Sequence, residues 1–380
     1  MAMLVLNEEQ QMLRDAAKGF LAEQAPVSQL RQLRDSRDET GFSPALWQGM
    51  VDMGFVGTLL AEAFGGSAFG HVGMGQVFEQ AGRNLSVSPL LSTAVLGVCA
   101  LQLAGTPAQQ QDMLPAIAEG RLLTALAVDE AARHAPARVA ATAKAQGDGY
   151  LLNGEKRFVI DGHVANSLIV SARTAGAEQD RDGITLFLVD AKAPGVSIER
   201  TSMVDSRNAA IVRFKDVQLN SAALLGQVGQ GFAVLEALLD VANAQIAAEL
   251  LGIASQAFEV TVKYLQERKQ FGVTLGSFQG LQHRCAHLFS EIELVKSVVI
   301  KALIALDEGD AQAPVLVSLA KAKASEVAEL ATNEAIQMHG GMGMTDEFDV
   351  GLFIKRARPL QQLFGDYRFH ADRFATLRGY

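Results

Sequence analysis

The sequence predicts an α+β multidomain protein: a helical N-terminal domain, an antiparallel β middle domain and a C-terminal four-helix bundle. Three observations predict it. The chain has 380 residues, beyond the roughly 250–300 at which a single core stops growing. Apolar residues recur at helical spacing in the first and last thirds, while short runs separated by polar turns fill the middle. Hydrophobic residues make up 49% and charged residues 20%, which supplies a sizeable core and excludes a disordered chain. The expected boundaries are 1–121, 122–228 and 229–380.

The N-terminal helices come first. Asn7 followed by Gln10 makes a capping box, and Met12, Leu13, Ala16, Ala17, Phe20 and Leu21 fall on one helical face behind it. Ser43-Pro44 is a second start signal, with Leu46, Trp47, Met50 and Met53 after it. Gly65-Gly66 closes that unit. Helical runs from Met74 to Arg83 and from Ala108, with an apolar stretch from Leu90 between them, lead to about Gly120.

Strand signals begin near Leu122. Tyr150-Leu151-Leu152, Asn153-Gly154 and then Glu155 to Ile160 read as a hairpin, because Asn-Gly accepts the positive φ of a two-residue turn. Ser167–Ala172, Ile184–Asp190, Val196–Glu199 and Ala210–Leu219 are further strands, with turns at Asp182-Gly183 and Pro194-Gly195. Such strands predict a sandwich or barrel of antiparallel pairs. Helix returns after Gly229-Gln230-Gly231 and continues through Leu265. A helix holding Leu288, Ile292 and Val295 follows the break at Gly272, Gly276 and Gly280. Pro314 opens another, which Gly340-Gly341-Met342-Gly343 ends. Aliphatic stripes on several sides of these helices predict a bundle core on one face and a subunit contact on a second, the alternative being one bulky monomeric bundle.

Several function classes are excluded. The net formal charge is −9, against the basic excess that phosphate neutralisation needs, so no nucleic-acid partner is expected. Cys99 and Cys285 lie far apart without metal-ligand spacing, so no disulfide framework is expected and a reducing cytoplasm is the predicted location. Asn7-Glu8-Glu9-Gln10 precedes any long apolar stretch, which argues against a signal peptide. Apolar runs such as Leu90–Leu103 are shorter than a membrane span. No HExxH, His-Cys cluster or EF-hand pattern points to a metal, no GxSxG points to a serine hydrolase, and no GxGxxG follows a strand.

What remains suits a planar, anionic cofactor. Glu267-Arg268-Lys269-Gln270-Phe271-Gly272 puts a guanidinium and an aromatic ring at a helix end, where arginine can fork onto a pyrophosphate. Taken alone, the same pair of cations also answers a helix dipole. Gln337-Met338-His339-Gly340-Gly341 adds an amide and two glycines that permit close backbone approach, and it equally well reads as a glycine helix stop.

Together with Leu6-Asn7-Glu8-Glu9-Gln10, Ala61–Gly66, Asn153-Gly154-Glu155-Lys156, Phe214-Lys215-Asp216-Val217 and Phe278-Gln279, these motifs resemble the flavin-dependent acyl-CoA dehydrogenase family. The likeness covers nearly the whole chain, and it is closest to the small subunits of bacterial two-subunit enzymes of the pimeloyl-CoA dehydrogenase type. The resemblance implies FAD lying between the β domain and the C-terminal bundle, with its adenosine-diphosphate half reaching a neighbouring subunit. It implies an acyl-CoA substrate, electron-transfer flavoprotein or a similar acceptor, and a homotetramer or a heterotetramer with a second family subunit.

By motif match, Arg268, Phe271, Phe278 and Gln279 contact the pyrophosphate and adenine, and Gln337, Gly340 and Gly341 line the same half of the cofactor. Val128 and Asp129 stand in the family's Val-Thr-Glu-Pro stretch, which runs here as Val128-Asp129-Glu130-Ala131. Phe158 and Ile160 stand in its aromatic-Ile-Thr signature, so Phe158 covers the flavin ring and Ile160 offers no hydroxyl to flavin N5. Arg133-His134-Ala135-Pro136 replaces the Gly-Ser-Asp piece that meets the pantetheine arm.

The reaction implied needs a carboxylate to take the proton α to the thioester carbonyl, while the flavin takes the β hydrogen. The family's usual seat for that glutamate falls on Phe364-Gly365, and the alternative seat falls on Ala242, with Asn243 where an arginine is usual. Asp366 is the nearest replacement base; it and Gly365 are also candidate cofactor contacts. Glu249 is a further candidate. Asp240 and Asn243 are the expected substrate contacts. Two readings stay open: an active dehydrogenase with an unusual base, and a cofactor-binding partner in a heteromer whose glutamate sits on another polypeptide.

Overall fold

The structure, a computed structural model, describes residues 5–380. In its first third six α-helices are α1 (Glu8–Gln24), α2 (Val27–Ser36), α3 (Pro44–Asp52), α4 (Gly70–Asn84), α5 (Val98–Ala104) and α6 (Pro107–Ala118). Eight strands follow: β1 (Thr124–Ala127), β2 (Thr142–Gln146), β3 (Gly149–Ile160), β4 (Ser167–Arg173), β5 (Ile184–Asp190), β6 (Val196–Ser202), β7 (Asn208–Leu219) and β8 (Leu224–Leu225). The last third holds α7 (Gly231–Glu267), α8 (Gln279–Asp307), α9 (Ala313–His339), α10 (Val350–Gln362) and α11 (Tyr367–Arg378), with two-residue strands β9 (Lys269–Gln270) and β10 (Val273–Thr274) between α7 and α8. The helix–strand–helix order is the predicted one.

The start signals work as the sequence suggests. Asn7 and Gln10 form a reciprocal capping box on α1, and Ser43 caps α3 with Pro44 in its first turn. On α1, however, only Ala17 and Leu21 of the expected face are buried, and Met12 is exposed. The apolar stretch Leu90–Gly97 is wound more loosely than an α-helix and runs straight into α5.

Two compact units divide the chain. One gathers Leu33–Gly70 and Ser88–Ala242 and contains the sheet. Its strand order is β6-β7-β3-β2-β4-β5-β8, with β1 on β4. Most pairs are antiparallel as expected, but β1 pairs with β4 in parallel, so the sheet is mixed. Leu152, Leu168, Val170, Phe187 and Val212 fill its core.

The predicted hairpin turn at Asn153-Gly154 is corrected. β3 runs through that dipeptide, and the hairpin turns instead at Gly147-Asp148, where Gln146 pairs with Gly149. Gly154 takes its positive φ of 146° in a bulge opposite β7. A Cβ there would lie 2.5 Å from the Ala141 Cβ, so the glycine serves a close strand approach rather than a reversal.

The second unit gathers Met1–Gln32, His71–Val87 and Asn243–Tyr380. Within it α9 packs against α8, α10 and α11. Gly82 of α4 and Gly252 of α7 let those helices cross closely: a Cβ would come within 2.1 Å of Glu249 O at Gly82 and 1.9 Å of Glu79 O at Gly252. Glu249 meets the fully buried Arg356 of α10 at 3.4 Å, and Arg356 also donates to Leu85 O and Ser86 O. The candidate base Glu249 is therefore buried in an ion pair. One correction concerns α7, since an 18-residue window of it is long and apolar enough to cross a membrane; 94% of that window is buried inside the protein, which makes it a core helix.

Candidate functional site

In the β-containing unit a buried cation on β3 holds the segment that carries Val128 and Asp129. Lys156 Nζ donates to Val128 O at 3.0 Å, to Glu130 Oε1 at 2.7 Å and to Ser171 Oγ at 2.9 Å. Glu130 in turn accepts from Ala140 N at 2.7 Å and Ala141 N at 3.1 Å. Burial pulls the Lys156 pKa down and the Glu130 carboxylate opposes it. Asp129 O accepts from Arg157 N at 2.7 Å, so the 128–130 segment is pinned to the stretch of β3 that carries Phe158.

Phe158 sits in a second bulge of β3, between Lys156 and Val159, with φ +51° and its residue 51% exposed. A bulky residue held in the left-handed region beside a pinned loop marks a constrained site. Val128, Asp129 and Phe158 are thus brought together. Ile160 is buried two residues further on, at the point where β3 pairs with Ala209.

The Arg133–Pro136 segment is tied back to Asp129. His134 Nδ1 lies 2.8 Å from Asp129 Oδ1 and 3.0 Å from its second oxygen. Beyond it Arg173, which sequence reasoning missed, reaches the carbonyls of Ala137, Val139, Ala175, Glu178, Asp180 and Asp182. A single arginine at a strand end carries no pattern that would single it out. Asp240, on the first part of α7, is buried.

In the helical unit a second group stands at the ends of α7, α8 and α9. Phe271 and Gly272 turn β9 into β10 with φ +53° and +80°. Phe271 is 88% exposed and meets Phe278 edge-on at 6.2 Å between centroids. Both line an open cavity of about 480 Å³ with Leu275, Leu281 and Arg284. Gln279 begins α8, and the Arg268 side chain is exposed at the end of α7. Tyr264 of α7 stacks on His339 of α9 at 4.2 Å, which brings the Gln337–Gly341 stretch to the same end of the bundle. Gln337, Gly340 and Gly341 are exposed there, and a Cβ at either glycine would meet nothing within 4 Å.

The third group is the turn between α10 and α11. Phe364 has φ +54° and Gly365 has φ +112°. Asp366 caps α11 by accepting from Phe369 N at 2.8 Å. Asn243 is buried and donates to Phe364 O at 3.3 Å, and His370 Nε2 also meets that oxygen at 3.1 Å. Lys321 of α9, also missed, lies beneath the turn with no exposure at all.

Residues 7–121, 125–217 and 229–375 match, in that order, the family models described as acyl-CoA dehydrogenase N-terminal, middle and C-terminal domain. The chain is 32% identical over 368 residues to the probable acyl-CoA dehydrogenase YngJ of Bacillus subtilis, covering 94% of each. It belongs to the acyl-CoA dehydrogenase family. Among solved structures, the butyryl-CoA dehydrogenase of Megasphaera elsdenii superposes with a TM-score of 0.90 at 26% identity, covering 100% of both chains. A variant of the Tcur3481–Tcur3483 steroid ACAD superposes at 0.88 with 30% identity over 98% of both. Acyl-CoA dehydrogenase family members are flavoproteins and oxidoreductases, so the three residue groups above belong to a fold that carries flavin chemistry.

Proposed function

We propose that the chain binds FAD and takes part in the α,β-dehydrogenation of an acyl-CoA thioester. One observation carries this reading: two exposed aromatic rings, Phe271 and Phe278, line one open cavity at a bundle end that also presents an exposed Arg268 and Gly340 and Gly341. That donor set fits a pyrophosphate and a flat base. Arginine forks onto phosphate oxygens, phenylalanine offers an apolar face, and the glycines put no side chain in the way of a ligand approaching the backbone. In the β-containing unit Phe158 offers a further ring, suited to cover an isoalloxazine.

When bound, FAD supplies the hydride acceptor. The chain's own residues hold and orient it. Arg268, Phe271, Phe278, Gln279, Gln337, Gly340 and Gly341 take the adenosine-diphosphate half, and Val128, Asp129, Phe158 and Ile160 take the flavin half. Asp240 and Asn243 border the substrate. Asp366 is the carboxylate nearest the family's usual seat for the base, at Phe364-Gly365 in this chain. Electron-transfer flavoprotein or a similar acceptor would reoxidise the cofactor.

A second reading is favoured by what Asp366 does in the turn. Its carboxylate is engaged as the cap of α11, Glu249 is engaged by Arg356, and the two family seats hold Phe364-Gly365 and Ala242. On this reading the chain is an FAD-binding subunit of a heteromer, of the pimeloyl-CoA small-subunit kind, and the base belongs to a partner polypeptide.

One experiment tests both. The purified chain is examined for visible flavin absorbance, then assayed with an artificial electron acceptor and a panel of acyl-CoAs. Turnover that Asp366→Asn abolishes supports the active dehydrogenase, because asparagine keeps the cap and removes only the charge. A yellow chain without turnover until a second subunit is added supports the partner. A colourless chain that no added FAD turns yellow rejects both.

A further inference from the structure

The face of α9 turned toward α10 and α11 is polar although it is buried. Ser318, Lys321, Ser325 and Thr332 follow at spacings that keep them on one helical side, and none is exposed. Arg373 Nη1 donates to Ser318 Oγ at 3.0 Å, and Gln361 Nε2 donates to Ser325 O at 2.8 Å. Between these two contacts, Lys321 Nζ donates to Gly365 O at 2.9 Å, Leu363 O at 3.1 Å and Gln361 O at 3.4 Å. An ammonium carries three N–H donors and no acceptor, so three carbonyls match its capacity. Gln361 is in the last turn of α10 and Leu363 caps it, where carbonyls have no partner within their own helix.

The backbone that Lys321 grips is strained. Phe364 has φ +54°, a region that a side chain of its size rarely enters, and Gly365 follows at +112°. Such a conformation persists only where the surroundings over-determine it. Here successive carbonyls are all held: Leu363 O by Lys321, Phe364 O by Asn243 and His370, and Gly365 O by Lys321 again.

We infer that Lys321 is a positioning residue that fixes the Leu363–Asp366 turn, and with it the place of Gly365 and Asp366 beside the reacting thioester and flavin. The inference rests on the functional reading above, in which this turn borders the reacting atoms. Small displacements of such a segment slow chemistry far more than they weaken binding.

The test uses the full chain with its bound cofactor. Lys321→Met removes all three donors and keeps an unbranched apolar side chain; Lys321→Gln keeps two donors on a shorter one. In hydrogen exchange read by mass spectrometry, peptides covering 363–367 should exchange about tenfold faster in Lys321→Met and less so in Lys321→Gln, with α8 and the β strands unchanged. The absorption bands of bound FAD should shift, and any turnover should fall about tenfold in kcat with KM nearly constant.

Unchanged exchange at 363–367 in both variants overturns the inference. So does exchange that rises equally through the helical unit, which would make Lys321 a general support. A loosened turn with unaltered flavin bands and turnover overturns it too, and leaves the FAD reading intact. A wild-type chain that binds no FAD ends the functional reading, and with it the positioning role, while the exchange comparison still decides whether Lys321 holds the turn.

Discussion

Lys156 Nζ lies 2.7 Å from Glu130 Oε1 with no solvent on the lysine side. This pair couples the 128–130 segment to the bulge that carries Phe158. Removing the cation leaves Glu130 with its two backbone donors and an uncompensated charge. Lys156→Met should therefore cost about 3 kcal/mol in urea unfolding. Adding Glu130→Gln should restore at least about 1 kcal/mol, since the two side chains are not independent. Additive losses in the double variant would refute the coupling.

Arg173 makes the opposite kind of contact, to six carbonyls and, among the described residues, no carboxylate. Lysine has three donors and no planar fork, so Arg173→Lys should strand several of those carbonyls. The expected loss is about 2 kcal/mol. The 175–182 loop should also become a site of limited proteolysis while the remaining sheet resists. Equal digestion of both proteins would count against the role given to Arg173.

Phe158 separates a site property from a fold property. Its backbone costs about 1 kcal/mol in the left-handed region, and half of the residue is exposed, so little burial depends on the ring. Phe158→Gly relieves that strain and adds a comparable entropy to the unfolded chain. Thermal stability should stay within about 1 kcal/mol of the wild type, while FAD affinity should drop about tenfold for want of the aromatic face. Retained affinity measured by flavin fluorescence would remove Phe158 from the site.

The fold was legible because its signals are local. Capping residues, Pro44 and helical periodicity announced α1, α3 and α7–α9 without any tertiary information. The sheet was read less well for the same reason. Asn153-Gly154 has the chemistry of a turn, and only its neighbour Ala141 decides that it is a bulge. Thr142–Gln146 and Thr124–Ala127 are too short and too weakly alternating to announce β2 and β1. At the candidate site, motifs exposed Arg268 and Phe271, whereas Arg173 and Lys321 act on backbone carbonyls, which carry no side-chain pattern, and those that Lys321 reaches lie 40 to 44 residues away. One clue to Lys321 was present: Ser318, Lys321 and Ser325 put polar residues at the spacing of a buried helix face.

Gly365 is a further point where the turn admits little change. Its φ of +112° disfavours any side chain, and a Cβ would come within 2.4 Å of the Phe369 ring and 2.9 Å of His370 Nε2. Gly365→Ala should therefore destabilise by about 2 kcal/mol or more and disturb the cap that Asp366 makes on α11. A variant as stable as the wild type, with unchanged exchange at the Phe369 amide, would show the turn to be tolerant.

The charge of Lys321 gives the turn a pH dependence whose sign can be worked out. Burial pulls its pKa from 10.5 down to about 7, with Asp366 acting in the other direction. Between those two values the unfolded chain binds more protons at this site than the folded chain. Stability contributed by the group therefore rises with pH through the window, by up to about 1 kcal/mol per pH unit; the cost of burying the charge is full below pH 7. Measured against Lys321→Met, which cancels the titration of all other groups, the wild type should gain stability from pH 7 to pH 9 in urea unfolding. The amine formed there has two donors for three carbonyls, and the longest contact, 3.4 Å to Gln361 O, should be released first. Exchange at the end of α10 should then rise above pH 7 beyond the ordinary base-catalysed increase, although global stability is rising. A stability difference that is flat or falls across that range would mean that Lys321 keeps its proton in the fold, and the three carbonyls would then hold an ammonium throughout.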